Sequence, residues 1–267
     1  MEANGIPKDQ IILMSYDDIA ENYNNPFKGK IFNNPEGLNV YNKEDISYRG
    51  RNVTAEKFLA VLTGDNKTAQ GPVLKSNKKS KVFIYYADHG APGFVGMPSG
   101  GYLYADKLAE SIKKMEDKGM FKELVFYMEA CEAGSMFPAL GKHENVYAMT
   151  ATDAKVSSWG TFCGSDAVVK GKNLGTCLGD LFSVNWMNDT ETHDPWTETI
   201  GEQFERVKTA TTKSPVCEFG DKDLKEMSVG TFEGTAGEEH AESGDDKQWS
   251  FGHITEKGKK LLFTMWN

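Results

Sequence analysis

Cysteine is scarce: Cys131, Cys163, Cys177 and Cys217 are the four in 267 residues. That is too few for a disulfide scaffold, and none lies in a C-x-x-C pair, which argues against a zinc knuckle. Long apolar runs are absent too; no stretch approaches the roughly 20 residues of a helical membrane span. The opening MEANGIPKDQ lacks the basic region, apolar core and cleavage site of a secretory signal. Either the chain is cytosolic or it is not the full gene product. Positive charge is not in excess. The formal net charge is −9 and the pI about 5.2, with Lys and Arg scattered among acids. Nucleic acid is therefore not an expected partner, since phosphate binding needs a basic face. There is no G-x-S-x-G, H-E-x-x-H or G-x-x-x-x-G-K-[ST], so the corresponding hydrolase, zincin and nucleotide chemistries find no support.

Two short questions stay open at this level. Cys163 and Cys177 bracket the Gly-rich CGSDAVVKGKNLGTC and could bridge in an oxidising compartment, but spacing does not report Cα separation. Sequons at Asn52, Asn66 and Asn188 are weak evidence for secretion, since chance alone could supply most of them in a chain with this much Asn, Ser and Thr.

What the chain does have is alternation of buried-strand and helix patterns. QIILMSYDD (10–18) reads as a strand, followed by a long polar loop in which Pro26 and Pro35 oppose regular structure. That loop lacks the calcium-loop spacing. NVTAEKFLAVLTG (52–64) reads as a helix capped by Thr54 and stopped by Gly64. VFIYYA (82–87) and LVFYMEA (124–130) have the length and the β-branched and aromatic content of buried strands. Between them, Tyr104, Leu108, Ile112 and Met115 share a helix face that ends at Gly119. NVYAMTATD (145–153) reads as a third strand, and 195–211 as an amphipathic helix through Ile200, Phe204 and Val207. The stretch 154–186 reads as loop with a short apolar segment at Leu178–Trp186. From 236 to 267 an acidic, Gly-rich linker and a tail are expected, outside a domain spanning 1–235.

Strand, helix, strand is a crossover, which makes the two quoted strands parallel and sets their carboxyl ends on one sheet edge. His89 and Cys131 follow those ends and are expected about 5–10 Å apart, where open α/β sheets keep their sites. An imidazole beside a thiol lowers the thiol's pKa and supplies a proton to the leaving group. Gly90 follows the histidine, and its N–H and that of Cys131 can form an oxyanion hole. The plain alternative is a satisfied histidine beside a structural cysteine, and geometry alone leaves the two about even. His143, His193, His240 and His253 show no metal-ligand spacing and read as surface residues; no metal or cofactor is expected.

YYADHGAPG, FYMEACEAGSMF, SSWGTFC and TCLGDLFSVNWM, in that order, resemble the legumain (asparaginyl endopeptidase, vacuolar processing enzyme) family. The resemblance extends through GIPKDQIILMSYDDIAENYNNPFKGKIFN and VCEFGDKDLKEMSVGTFEG, from residue 5 to about 235. It implies an α/β, caspase-like three-layer sandwich with a mostly parallel central sheet. It also implies a cysteine endopeptidase cutting after asparagine, and after aspartate at acid pH. On it, His89 matches the catalytic histidine, Cys131 the nucleophile and Gly90 the oxyanion glycine. Asp88 matches an aspartate able to form a succinimide tied to ligase activity, while Glu129, Ser157, Ser158 and Asp180 match the wall of the pocket for the asparagine side chain.

The resemblance further implies peptide or protein substrates with exposed asparagine, cystatin-type inhibitors as partners, no membrane partner, and a vacuolar, lysosomal or secreted location. It also sets an expectation of incompleteness. Family members begin with a strand and helix ahead of this chain's first residue, carrying an asparagine that orients the histidine and an arginine and histidine of the pocket. An asparaginyl ligase, and an inactive homologue or fragment that only binds peptides or a partner, are the rival readings.

Overall fold

The computed structural model describes residues 5–140, 143 and 145–234. The expected linker and tail at 236–267, with His240 and His253, lie outside the described residues. In chain order the elements are β1 (Leu13–Ser15), β2 (Ile46–Arg49), α1 (Ala55–Leu62), α2 (Asn66–Ala69) and β3 (Lys81–Ala87). Next come β4 (Gly90–Ala91), β5 (Phe94–Gly96), β6 (Tyr102–Tyr104), α3 (Ala105–Asp117), β7 (Glu123–Glu129) and β8 (Val146–Thr150). The short β9 (Gly160–Thr161), β10 (Val168–Val169), β11 (Lys172–Asn173) and β12 (Gly179–Asp180) precede α4 (Leu181–Thr192), α5 (Ile200–Ala210), β13 (Cys217–Gly220) and α6 (Gly230–Glu233).

The central sheet has the order β13-β8-β7-β3. β3 runs parallel to β7 and β7 parallel to β8, while β13 is antiparallel at the far edge. Strand periodicity divides its side chains between two helical layers. Val82, Ile84, Tyr86, Leu124, Phe126, Met128, Val146 and Ala148 face α1 and α3 through Phe58, Leu62, Leu108, Ile112 and Met115. Val125, Tyr127, Tyr147 and Met149 face α4 and α5 through Phe182, Trp186, Ile200, Phe204 and Val207. Every residue of β7 is buried, because a parallel strand covered on both faces has no solvent side. The result is the expected α/β three-layer sandwich with a mostly parallel sheet.

The expected strand at 10–18 shortens to β1, which pairs in parallel with β2 as a separate two-stranded sheet. Helix α1 forms as expected: the Thr54 side chain accepts from Lys57 N–H, and Gly64, at φ 68°, ends the helical run. Tyr104 departs from expectation. It precedes α3 and is 51% exposed, whereas Leu108, Ile112 and Met115 are buried. The expected helix over 195–211 begins only at Ile200, where Thr199 and Glu202 form a reciprocal capping box. The apolar segment at 178–186, which the sequence set apart from the loop without assigning it an element, is mostly the start of α4.

Candidate active site

β3 and β7 run level along their whole length, Lys81 opposite Glu123 and Ala87 opposite Glu129. The ladder continues one step, with Asp88 N–H donating to the Glu129 carbonyl at 3.2 Å. His89 and Cys131 therefore leave the sheet side by side. The contact is closest at the next residue. A Cβ placed on Gly90 would lie 2.0 Å from the Cys131 carbonyl oxygen and 3.0 Å from Ala130 Cβ. Such separations are far inside van der Waals contact, so only glycine fits at position 90.

After Cys131 the chain turns sharply. Glu132 sits at φ 49°, a left-handed conformation uncommon outside glycine, and a 3-10 turn follows at Ala133–Met136. Thr152 fixes this turn: its hydroxyl accepts from Ala133 N–H at 2.9 Å and donates to the Ala130 carbonyl at 3.2 Å. Ser135 Oγ accepts from Gly93 N–H at 2.8 Å, tying the cysteine loop to the histidine loop. His89 is exposed and Cys131 half-buried, so both are reachable. Cys131 Sγ lies 3.8 Å from Ser158 Oγ and 3.9 Å from the Ser158 carbonyl.

Beside the cysteine stands a buried acid. Glu129 is wholly buried, and its Oε2 accepts from both the N–H and the hydroxyl of Ser183, at 2.8 and 2.9 Å. Burial first, and then the neighbouring Asp180 carboxylate, push the Glu129 carboxyl up to about 8, against the pull of the Ser183 hydrogen bonds. The Ser158 hydroxyl also acts on this carboxyl and pulls its pKa down, while its other oxygen, Oε1, is buried with no hydrogen bond of ordinary geometry. Asp180 is itself buried at the start of α4, and β12 holds it opposite Gly160 of β9. Three residues from that pairing on each side, Cys163 and Cys177 form a disulfide, which settles the question the sequence left open.

Of the expected pocket residues, Ser158 is half-buried against Cys131 and Ser157 is exposed beside it, with Trp159 54% exposed. Asp88 is buried; its Oδ1 accepts from His89 N–H at 2.6 Å, while burial raises its carboxyl pKa. The sequence reading did not single out Ser183, Thr152 or Ser135. Each acts through a backbone group or carboxylate distant in sequence, and a lone Ser or Thr carries no signal for that.

One histidine differs from its expected surface placement. The His143 side chain is only 10% exposed and its Nδ1 lies 3.1 Å from Glu116. His193 is exposed, as expected, and lies near Asp189 and Glu198; the three bring ligand-type atoms within 4.8 Å of one another. Arg206 already reaches both carboxylates, so the group is an ion-pair network that meets its charge internally.

A model of the peptidase C13 family matches residues 1–235. The vacuolar-processing enzyme of Citrus sinensis is 44% identical over 245 residues, covering 88% of this chain and 49% of the relative. That of Vicia sativa is 43% identical over 244 residues, again 88% and 49%. The vacuolar-processing enzyme beta-isozyme of Arabidopsis thaliana is 40% identical over 245 residues, 88% and 50%. The chain thus spans about half the length of the curated relatives it matches. Among solved structures, caspase-1 from Spodoptera frugiperda aligns with a TM-score of 0.41 at 11% identity, over 63% of this chain and 68% of that one.

Proposed function

The chain belongs to the peptidase C13 family, and from that premise we propose that its protein is a cysteine endopeptidase cleaving after asparagine, with Cys131 as nucleophile and His89 as acid–base partner. The observation that carries the reading is the approach of Gly90 to Cys131. It sets the residue after the histidine against the cysteine backbone, where the N–H groups of Gly90 and Cys131 can converge on one oxygen.

In this reading the Cys131 thiolate attacks the scissile carbonyl, and the resulting oxyanion accepts from those two N–H groups. His89 protonates the departing amine, leaving an acyl-thioester on Cys131. Water, deprotonated by His89, then hydrolyses the thioester. Selectivity lies in the wall formed by Glu129, Ser157, Ser158 and Asp180. An asparagine amide brings two N–H donors and one acceptor oxygen. The Asp180 carboxylate is an acceptor for an N–H. Glu129, protonated at mildly acid pH with Oε2 already accepting from Ser183, can donate from Oε1 to the amide oxygen. A substrate aspartate would meet the same acids and has to be protonated first. Substrates are then peptides or proteins with exposed asparagine, cystatin-type proteins are candidate inhibitors, and the relatives' names favour a vacuolar setting.

A ligase reading has one observation in its favour. Succinimide formation joins an aspartate's carboxyl carbon to the next backbone nitrogen, with a carboxyl OH and the N–H proton leaving as water, and Asp88 Oδ1 already accepts from His89 N–H at 2.6 Å. Fluorogenic peptides ending in Asn, Asp or Gln, assayed at mildly acid pH with and without an added amine, test both readings. Asn-selective hydrolysis supports the endopeptidase, and capture of the acyl group by the amine supports the ligase. Turnover that ignores the terminal residue removes the pocket assignment.

A further inference from the structure

The lysines that look scattered along the sequence gather at one end of the fold. Residues 63–81 contain Lys67, Lys75, Lys78, Lys79 and Lys81 with Asp65 as the one acid, and residues 113–123 contribute Lys113, Lys114, Lys118 and Lys122. Folding joins the two segments. Lys122 N–H donates to the Ser80 carbonyl at 2.7 Å, and Lys118 Nζ donates to the Thr63 carbonyl at 2.8 Å. Gly119 lies against Lys78, whose Cβ is 3.8 Å from where a Cβ on that glycine would stand. Leu74 N–H donates to the Val61 carbonyl, which docks the segment carrying Lys75 on α1.

The two segments together carry nine lysines and four acids, Asp65, Glu116, Asp117 and Glu123; Asp221, whose Oδ2 accepts from Asn145 N–H at the head of β8, is a further acid at this end of the sheet. Glu123 lies between Lys81 and Lys122, and Asp117 pairs with Lys113. Lys67, Lys75, Lys78, Lys79, Lys114 and Lys118 are all exposed. On a chain of formal net charge −9, this is a local reversal of sign. Charges within a Debye length of about 8–10 Å act together on an approaching polyanion.

We propose that this face binds a soluble acidic polysaccharide, one bearing carboxylate or sulfate groups along an extended chain. The side-chain chemistry selects that class. Lysine is a compact point charge with rotatable donors, suited to repeating single anionic groups, whereas arginine is the residue for bidentate phosphate recognition. The chain's three arginines, Arg49, Arg51 and Arg206, lie outside both lysine segments. The exposed large apolar residues among those described are Tyr23, Tyr102, Tyr104, Val156, Trp159 and Val168, none of them in these segments. The face therefore offers no base-stacking platform for single-stranded nucleic acid and no apolar anchor for a lipid surface. It lies at the amino ends of β3 and β7, about 20 Å along the strands from the His89 and Cys131 loops. A polysaccharide held there leaves the peptide cleft open.

The test uses the full 267-residue chain and binding alone, so it stands apart from the peptidase reading. Polygalacturonate (carboxylate), heparin (sulfate), single-stranded DNA and phosphatidylserine vesicles are titrated at low and high salt. The comparison variants are K75E/K78E/K79E and, with the same change in net charge elsewhere on the surface, K30E/K43E/K213E. Binding to one or both polysaccharides is expected, weakened by salt, and roughly tenfold or more weaker in the first variant while the second stays close to wild type. Retention by only the carboxylate or only the sulfate polymer names the source. Equal losses in both variants, preference for DNA or vesicles, or no polysaccharide binding at low salt would each overturn the proposal. Circular dichroism of both variants separates lost binding from lost folding.

Discussion

Gly90 abuts the Cys131 carbonyl so closely that a methyl group on its Cα would stand 2.0 Å from that oxygen. Two loops from parallel strands are thereby locked together, one holding the proposed base and the other the proposed nucleophile. The consequences can be measured.

Gly90→Ala forces the loops apart. Overpacking of this kind costs about 1–3 kcal/mol, so a modest fall in melting temperature is expected. Activity should fall far more, because displaced N–H donors no longer meet the oxyanion; loss of one such donor costs about 100-fold or more in kcat. Activity near wild type would show that position 90 does not set the site.

Ser183→Ala removes a hydroxyl that donates to Glu129 Oε2 at 2.9 Å and leaves the Ser183 N–H bond in place. With one of two hydrogen bonds to a buried acid gone, stability should drop by about 1–3 kcal/mol in denaturant unfolding. KM for an Asn substrate should rise more than kcat falls, since the serine holds the pocket acid and not the reacting atoms.

The pH dependence of stability has a definite sign. Glu129, raised from 4.5 to about 8, and Glu233, raised from 4.5 to about 7, both favour the protonated form in the fold. Each contributes its full stabilisation below about 4.5, lost as pH rises through the folded value. Thermal melts should therefore show declining stability from pH 4.5 towards 8, with Glu233→Gln flattening the part below 7. Glu123 and Glu218 are lowered where lysines pair with them. Their stabilisation is present above the ordinary carboxylate range and disappears at still lower pH, which limits the acid side.

Reduction of Cys163–Cys177, or its replacement by two serines, releases a loop closed over a sequence separation of 14. A loop of this size corresponds to about 3 kcal/mol of stability in the chain-entropy view. The bridge flanks the β9–β12 pair that holds Gly160 opposite Asp180, so selectivity for Asn over Gln should narrow as well. Unchanged selectivity in the reduced protein would confine the bridge to stability.

The parallel core and the His89–Cys131 adjacency were legible because each rests on a local pattern. Two apolar runs of strand length flank a helix whose Leu108, Ile112 and Met115 repeat along one face. α4 was not legible: its buried side includes Ser183 and Asp189 with Phe182, Trp186 and Met187, so no clean apolar stripe marks it. Tyr104 misled because it extends α3's spacing by one turn although the chain there is still β6. The lysine face was hidden since it joins segments more than thirty residues apart, and its sign is masked by acids elsewhere.

The most direct measurement is covalent labelling of this chain by a peptide electrophile ending in Asn, with Asp and Gln counterparts, followed by peptide mapping. Cys217, the other free cysteine and also half-buried, serves as an internal control. Asn-selective modification of Cys131, abolished by His89→Ala and absent from Cys217, is the predicted result. Modification of both cysteines alike, or of Cys131 without regard to the terminal residue, would contradict the assignment of Cys131 as the nucleophile of an asparagine-specific site.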